Sequence, residues 1–253
     1  MNLKTKSAFV LSTLLVGGAV MAQAKAPEPD YTLGYNIGAV SDYRFRGIAQ
    51  TSFDPALQGG VDFSHKSGVY LGAWASNVSW LKDYSSATQG TYELDLYGGY
   101  KGAITKDLGY DVGFISYLYP GNNVATNANT QEVYGALTYS MFTFKYSRAV
   151  SNFIGNASSA GSQYYDLSAN FDLGSGFTLT PHIGYQTVPN QTNNQADYTD
   201  YALTLAKDMG NGLAFTVAAV GTDTKKEAGA FYTDTKGKYL GKEAIVVGVK
   251  YSF

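Results

Sequence analysis

The sequence predicts an all-β fold, a transmembrane antiparallel up-and-down β-barrel of about twelve strands, with ten or fourteen as alternatives. Segments of about ten residues alternate apolar and polar side chains, which places one set on each face of a strand. Short turns alternate with long polar connections, as in outer-membrane barrels. Glycine (29) and tyrosine (22) are frequent, and only 15% of the 253 residues are charged.

Residues 1–24 are predicted to be a cleavable signal peptide. Lys4 and Lys6 form its basic start, an apolar run of about a dozen residues follows, and Ala22-Gln23-Ala24 is the small-x-small cleavage pattern. The run is shorter than the roughly 20 residues that a spanning helix needs. Residues 25–253 are then one barrel domain, and the loss of two lysines leaves 16 basic against 20 acidic residues. This balance argues against a nucleic-acid partner, which needs a basic face.

Twelve alternating segments are predicted in the remaining chain. In the first, Tyr31, Leu33 and Tyr35 share one face, whereas Thr32 and Gly34 share the other. The later segments follow the same two-residue period, with Pro181 expected to cause a bulge or weak pairing because it lacks a backbone donor. The segments begin near Tyr31, Ala56, Val69, Tyr92, Leu108, Glu132, Met141, Tyr164, Phe177, Asp200, Leu213 and Ala244.

The polar face of the segments is predicted to be the inner one. Carboxylates on the inner face of a closed barrel need water there, since a buried unpaired charge is very costly, and the apolar face then meets lipid. A soluble β-sandwich or a lipocalin-like barrel is the alternative, but its inner face would carry large aliphatic side chains. Aromatic residues near the strand ends are expected to form girdles at the membrane boundaries. They are Tyr31, Tyr92, Tyr100, Tyr185, Tyr201, Tyr251 and Phe253.

The end of the chain predicts how the protein is assembled. Tyr251 and Phe253 close the last segment and resemble the terminal aromatic strand that the outer-membrane assembly machinery recognises. We therefore expect export through the periplasm to the outer membrane of a Gram-negative bacterium. Lipid and lipopolysaccharide are the expected surroundings. A basic loop either contacts lipid phosphates or is simply solvated, and its lysines are Lys225, Lys226, Lys236, Lys238 and Lys242.

Four stretches of the sequence resemble one known family. They are SDYRFRGIAQT (41–51), PALQGGVD (55–62), SGVYLGAWASNV (67–78) and ELDLY (93–97). The chain is similar along its whole mature length to the proteobacterial Gcw_chp proteins, also called TorF-type porins. The resemblance implies an outer-membrane barrel of porin type, and it brings no catalytic residue with it.

The first of these stretches is a candidate pore mouth. If the first strand continues to Gly47, alternation points Asp42, Arg44 and Arg46 inward, while Tyr43 and Phe45 face lipid. Rows of charge at a mouth set selectivity in pores. The alternative is that these charges pair with inner carboxylates and brace the wall.

Alternation also predicts the charges of the lumen. The lumen-lining candidates are Asp62, Glu93, Asp95, Asp111, Glu132, Lys145, Asp166, His182, Asp200 and Lys250. With Asp42, Arg44, Arg46 and Lys101 included, eight acids face five bases, which leaves a net charge of about −3 at ordinary pKa values. A weakly cation-preferring channel is the expectation. Inward glycines, such as Gly113 and Gly184, are expected to leave room in the lumen.

A channel for passive diffusion of ions or small solutes is therefore the predicted function, and a non-conducting structural or adhesive barrel is the alternative. Barrels of about eight strands are filled by side chains, and those of about sixteen to eighteen strands leave an open channel. A barrel of twelve strands lies between the two, so the lumen is either a narrow channel or plugged. A barrel hydrolase is the weaker rival, because the chain has only His65 and His182 and no GxSxG motif. The sequence has no cysteine and no metal-ligand spacing, so neither a metal nor a cofactor is predicted.

Overall fold

The computed structural model describes residues 29–84, 89–227 and 230–253, so the predicted signal peptide lies outside the described residues. Thirteen antiparallel strands form one closed sheet, and β2 and β3 pair separately. The strands are β1 (Tyr31–Val40), β2 (Arg44–Phe45), β3 (Ile48–Ala49), β4 (Ala56–His65), β5 (Val69–Asn77), β6 (Tyr92–Ala103), β7 (Leu108–Leu118), β8 (Thr130–Tyr139), β9 (Phe142–Ala149), β10 (Gln163–Ala169), β11 (Phe171–Gly174), β12 (Phe177–Thr187), β13 (Tyr198–Gly210), β14 (Leu213–Thr222) and β15 (Ala244–Ser252).

The sheet closes between its first and last strands. Strands β10 and β11 are two halves of one wall strand, so the wall is a twelve-stranded barrel, and the predicted number is confirmed. Each strand pairs with its neighbours along the chain, and β1 completes the ring by pairing with β15. At this seam the amide of Phe253 donates to the carbonyl of Tyr35 at 2.9 Å, and the Tyr35 amide donates back at 2.9 Å.

The two faces of the wall differ as the alternation predicts. Apolar side chains point outward and are exposed, as at Leu57 (62%) and Ile245 (66%). The predicted girdle rings all belong to this exposed set. The other face turns its charged and small polar side chains into the barrel. Among the described residues no helix is long and apolar enough to cross a membrane.

Short turns and long connections lie at opposite ends of the barrel. The short turns lie at the end that carries Tyr31 and Phe253, which we call the short-turn end; they span residues 66–68, 104–107, 140–141, 175–176 and 211–212. The long connections lie at the other end, the long-loop end. They carry the α-helix α1 (Trp80–Tyr84) and a 3₁₀ turn, Thr192–Asn194.

The strand ladder is interrupted opposite Pro181, in agreement with the predicted local irregularity. The register of β10 with β12 ends at Ser168 opposite His182, and β11 resumes it at Phe171 opposite Leu179. The interruption therefore lies opposite Pro181, which has no backbone N–H to donate. The hydroxyl of Thr180 bridges the gap by donating to Asn170 Oδ1 at 2.8 Å.

Candidate functional site

The barrel lumen contains every predicted lining residue. The structure places Asp62 on β4, Glu93 and Asp95 on β6, Asp111 on β7, Glu132 on β8, Lys145 on β9, Asp166 on β10, His182 on β12, Asp200 on β13 and Lys250 on β15, all facing inward. Antiparallel pairing brings inward residues of four adjacent strands, β9, β10, β12 and β13, into one row across the wall. Asp166 lies opposite Lys145 on one side and Gly184 on the other, and Gly184 lies opposite Asp200.

Residues 41–55 form a hairpin inside the barrel, which we call the inner hairpin. The expectation that the first strand runs to Gly47 with Tyr43 and Phe45 facing lipid is wrong, because β1 ends at Val40. Both rings pack inside the lumen: Tyr43 lies 5.4 Å from the Trp74 ring and Phe45 lies 5.3 Å from the Tyr117 ring. Burial of two aromatic rings against the inner wall provides the reason for the inward path.

The inner hairpin crosses the lumen to the opposite wall. Its two strands pair at Arg44 with Ala49 and at Phe45 with Ile48, so Arg46 and Gly47 form a two-residue turn. Both turn residues have positive φ, 47° and 78°, as a type I′ turn requires. The Tyr198 hydroxyl on β13 donates to the Arg46 carbonyl at 2.9 Å, which fixes the tip against β13.

Asp42 and Arg44 bind each other and brace the hairpin. Arg44 Nε donates to Asp42 Oδ2 at 2.7 Å, and both side chains are buried. Arg44 Nη1 also donates to the carbonyls of Gly47, Leu240 and Lys242, which ties the hairpin to the last long loop. Burial raises the pKa of Asp42, and the neighbouring Arg44 guanidinium partly opposes this rise. These contacts correspond to the bracing alternative.

Arg46 at the hairpin tip is enclosed by groups from the wall. Its Nη2 lies 2.6 Å from Glu132 Oε2, and its Nη1 donates to Gln186 Oε1 at 2.6 Å. The guanidinium lies 4.2 Å from the centre of the Tyr164 ring and 5.5 Å from that of Phe153. Arg46, Glu132 and Gln186 are all buried, so this is a desolvated ion pair.

Apolar side chains and buried acids fill the rest of the long-loop end. Phe45 packs against two clusters, one that contains Leu81 and Tyr119 and one that contains Phe153. The Tyr43 hydroxyl donates to the buried carboxylate of Glu93 at 3.2 Å. Burial, and then the negative charge of Glu93, raises the pKa of Tyr43 well above its ordinary value. The hairpin and these loops therefore narrow the mouth that the sequence assigned to a row of charges.

A cavity of about 310 Å³ lies against the hairpin tip. Arg44 and Arg46 line it from the hairpin, and the wall contributes Tyr164, Asp166, His182 and Asp200. His182 Nε2 lies 2.7 Å from Asp166 Oδ2 and 3.2 Å from the Tyr164 hydroxyl, and its Nδ1 lies 3.6 Å from Asp200 Oδ1. The hydrogen-bond partners of His182 are thus a carboxylate and a phenol.

Sequence reasoning missed the inward tyrosines Tyr70, Tyr134 and Tyr164. The Tyr70 hydroxyl donates to Asp111 Oδ1 at 2.6 Å, and it lies 2.5 Å from the Tyr134 hydroxyl. Alternation along β5, β8 and β10 is the signal in the sequence that places these three rings on the inner face. Each of these side chains also packs over a glycine on a neighbouring strand, in the space that a Cβ there would occupy.

The expectation that inward glycines leave open space is wrong at most of them, because another atom lies within 3.0 Å of the would-be Cβ at Gly38, Gly60, Gly113, Gly184 and Gly248. A Cβ on Gly113 would lie 2.5 Å from the Tyr134 hydroxyl oxygen, and one on Gly184 would overlap the Tyr164 hydroxyl. These glycines make room for rings from adjacent strands. At Gly34 the space is open, as expected.

The basic loop contacts the protein itself at several lysines. Lys236 Nζ lies 2.5 Å from Asp83 Oδ1, and Lys238 donates to the Ser52 carbonyl. Burial tends to raise the pKa of Asp83, but hydrogen bonds from Lys236, Ser52 and Ser79 outweigh it and lower that pKa. Contact of this loop with lipid phosphates stays a prediction.

Comparison with known proteins supports the architecture. A family model for Gcw_chp, described as a bacterial protein of unknown function, matches residues 23–253. Curated protein sequences gave no match. The KdgM porin, solved in complex with disordered oligogalacturonate, is 9% identical with a TM-score of 0.54, over 87% of this chain and 98% of that chain. The NanC porin, solved in a rhombohedral crystal form, is 12% identical with a TM-score of 0.54, over 87% and 99%.

These likenesses show the fold. The barrel resembles that of outer-membrane porins. The two solved neighbours are porins and not enzymes. Among the described residues no group of three or more His, Cys, Asp or Glu side chains is placed to hold a metal ion.

Proposed function

Because the chain belongs to the Gcw_chp family of bacterial proteins of unknown function, we infer its activity from its own structure. We propose that it is a porin-like channel for passive diffusion of ions or small solutes across the outer membrane. One observation carries this proposal: the closed barrel turns apolar side chains outward and charged side chains inward. Such a wall separates lipid from a polar lumen.

A preference for cations is part of the proposal. Two of the inner acids are paired with hairpin arginines, in Asp42–Arg44 and Glu132–Arg46. The remaining acids outnumber the remaining bases, and an excess of one sign of charge along a pore favours ions of the opposite sign. These acids are Asp62, Glu93, Asp95, Asp111, Asp166 and Asp200, and the bases are Lys101, Lys145 and Lys250.

Planar-bilayer recording of the refolded mature protein under a KCl gradient tests this proposal. We expect discrete current steps and a reversal potential with the sign of potassium selectivity. Faster mobility of the unheated protein on a gel would establish that the sample is folded. A reversal potential of the opposite sign would refute the cation preference.

A non-conducting barrel is the second candidate, because the inner hairpin and two apolar clusters occupy the long-loop end of the lumen. Folded protein that gives no current steps at any voltage would support this candidate and exclude the open channel.

A further inference from the structure

Four of the groups around Arg46 belong to the wall and its connections rather than to the inner hairpin. Glu132 belongs to β8, Phe153 to the connection after β9, Tyr164 to β10 and Gln186 to β12. We call these four residues the Arg46 socket. All four belong to the wall and its connections. The hairpin supplies the occupant, Arg46, and also the Phe45 ring, whose centre lies 4.8 Å from the guanidinium carbon.

The socket matches the chemistry of a guanidinium group. A guanidinium is planar, presents N–H donors in a fixed fork and stacks on aromatic faces. Glu132 and Gln186 each accept from one arm of the fork at 2.6 Å. The Tyr164 ring lies against the guanidinium at 4.2 Å, within the range for a cation–π contact. A compact ammonium would satisfy only part of this arrangement.

A solute inside the barrel could approach the socket. Arg46 and Tyr164 both line the 310 Å³ cavity, and Asp166 beside them has a partly exposed side chain (23%). Arg46 itself has φ of +47°, a conformation that non-glycine residues adopt at a cost. Its contacts in the socket must therefore hold it there.

We propose that the Arg46 socket is a guanidinium-binding site occupied in cis by Arg46, and that a small solute carrying a guanidinium group competes for it. Displacement of Arg46 would release the hairpin tip from β8 and β12. Binding of a guanidinium solute is inferred from the contacts of the socket alone. Widening of the pore after displacement of Arg46 rests in addition on the proposed channel function. Because a tethered group competes at a high effective concentration, the socket is best tested with Arg46 truncated.

Isothermal titration of the folded Arg46→Ala protein with ethylguanidinium, and with ethylammonium as the charge-matched control, tests the site. We expect saturable binding of ethylguanidinium that is at least about tenfold tighter than that of ethylammonium. Adding Glu132→Gln should weaken it by a similar factor, and the wild type should bind neither at these concentrations. Equal affinity for the two cations, or no saturable binding, would overturn the proposal.

Refolding yield provides a second readout should Arg46→Ala fold poorly. Ethylguanidinium present during refolding is then expected to raise the heat-modifiable fraction, and ethylammonium is not. Equal effects of the two cations would count against the socket.

Bilayer recording separates this inference from the channel proposal. In a conducting barrel, Arg46→Ala should increase the conductance and ethylguanidinium, but not ethylammonium, should reverse the increase, while neither cation should change the conductance of the wild type at the same concentrations. Selective binding in the calorimeter without any current in the bilayer would support the guanidinium site and contradict the channel proposal. Current steps without selective binding of ethylguanidinium would support the channel proposal and contradict the guanidinium site.

Discussion

Gly47 shows how closely the inner hairpin fits the wall. Its φ of +78° lies in the left-handed region, and a Cβ at this position would come within 2.6 Å of Thr222 Cγ2 and 2.8 Å of Asp200 Cβ. Both neighbours are inward side chains near the long-loop ends of β13 and β14. Only glycine meets both demands, one conformational and one steric.

We predict that Gly47→Ala destabilises the protein more than Gly237→Ala does. Gly237 has nearly the same φ, +79°, but nothing lies within 4 Å of its would-be Cβ. Both changes should cost about 1–2 kcal/mol for the left-handed conformation. Gly47→Ala should add about 1–3 kcal/mol from overpacking. Urea unfolding in lipid bilayers measures both variants, and equal losses would mean that the hairpin tip is not held against β13 and β14.

At the level of residues, alternation predicted most of the lumen but failed at Tyr43 and Phe45. A period of two gives the face of each residue only while the strand continues, and β1 ends at Val40. The dipeptide Arg46-Gly47 carried a turn signal, since glycine commonly occupies positive φ. The contacts that draw the hairpin inward involve Glu132 and Gln186, 86 and 140 residues away, and no local pattern reports them.

The inner hairpin is the element that decides how wide the mouth is. Val40 and Ala56, which flank it, are paired with each other in the ladder between β1 and β4. A two-residue Asn-Gly turn can therefore replace residues 41–55 without stretching either strand.

We predict that this replacement raises the single-channel conductance several-fold, because it removes Phe45, Arg46 and their neighbours from the lumen. Replacing Thr192–Asn194 by Gly-Ser-Gly is the control, since these exposed residues lie on another long connection. The control should conduct as the wild type does. Unchanged conductance after loss of the hairpin would show that another part of the mouth limits the current.

The elements themselves were largely predictable, because each strand repeats the same alternation. Ten of the twelve predicted starts lie within one residue of the observed ones, while β8 and β13 begin two residues earlier, at Thr130 and Tyr198. The irregularity at Pro181 was also predictable, because a proline within any strand lacks the N–H that would donate a ladder hydrogen bond. The short hairpin strands β2 and β3 were not predicted, because two residues are too few to show a period.

For the whole molecule, the seam between β1 and β15 completes the wall. Phe253 stacks on the Tyr35 ring at 5.8 Å and on Tyr251 at 5.8 Å, in addition to its two backbone hydrogen bonds. Its recognition by the assembly machinery stays a prediction, but these contacts give it a direct role in closure.

We predict that Phe253→Ala lowers the fraction of closed barrels more than Phe215→Ala does. Phe215 is also an exposed outward ring, but it lies within β14, away from the seam. The heat-modifiable fraction after refolding into lipid without assembly proteins measures closure directly. Equal fractions for the two variants would assign the role of Phe253 to the assembly machinery alone.

The placement of the inner hairpin also links distant parts of the chain. The hairpin directly follows β1, which is one of the two strands at the seam. Its socket is formed by residues much later in the chain, on β8, β10 and β12. A wall that closed with the hairpin outside would leave the buried Glu132 without its cation, which is strongly unfavourable. The enclosed hairpin is therefore favoured only when β8, β10 and β12 are in register, since a shift of one residue would turn Glu132 to the other face of the wall. An early loop thus depends for its stability on strands that come much later in the chain.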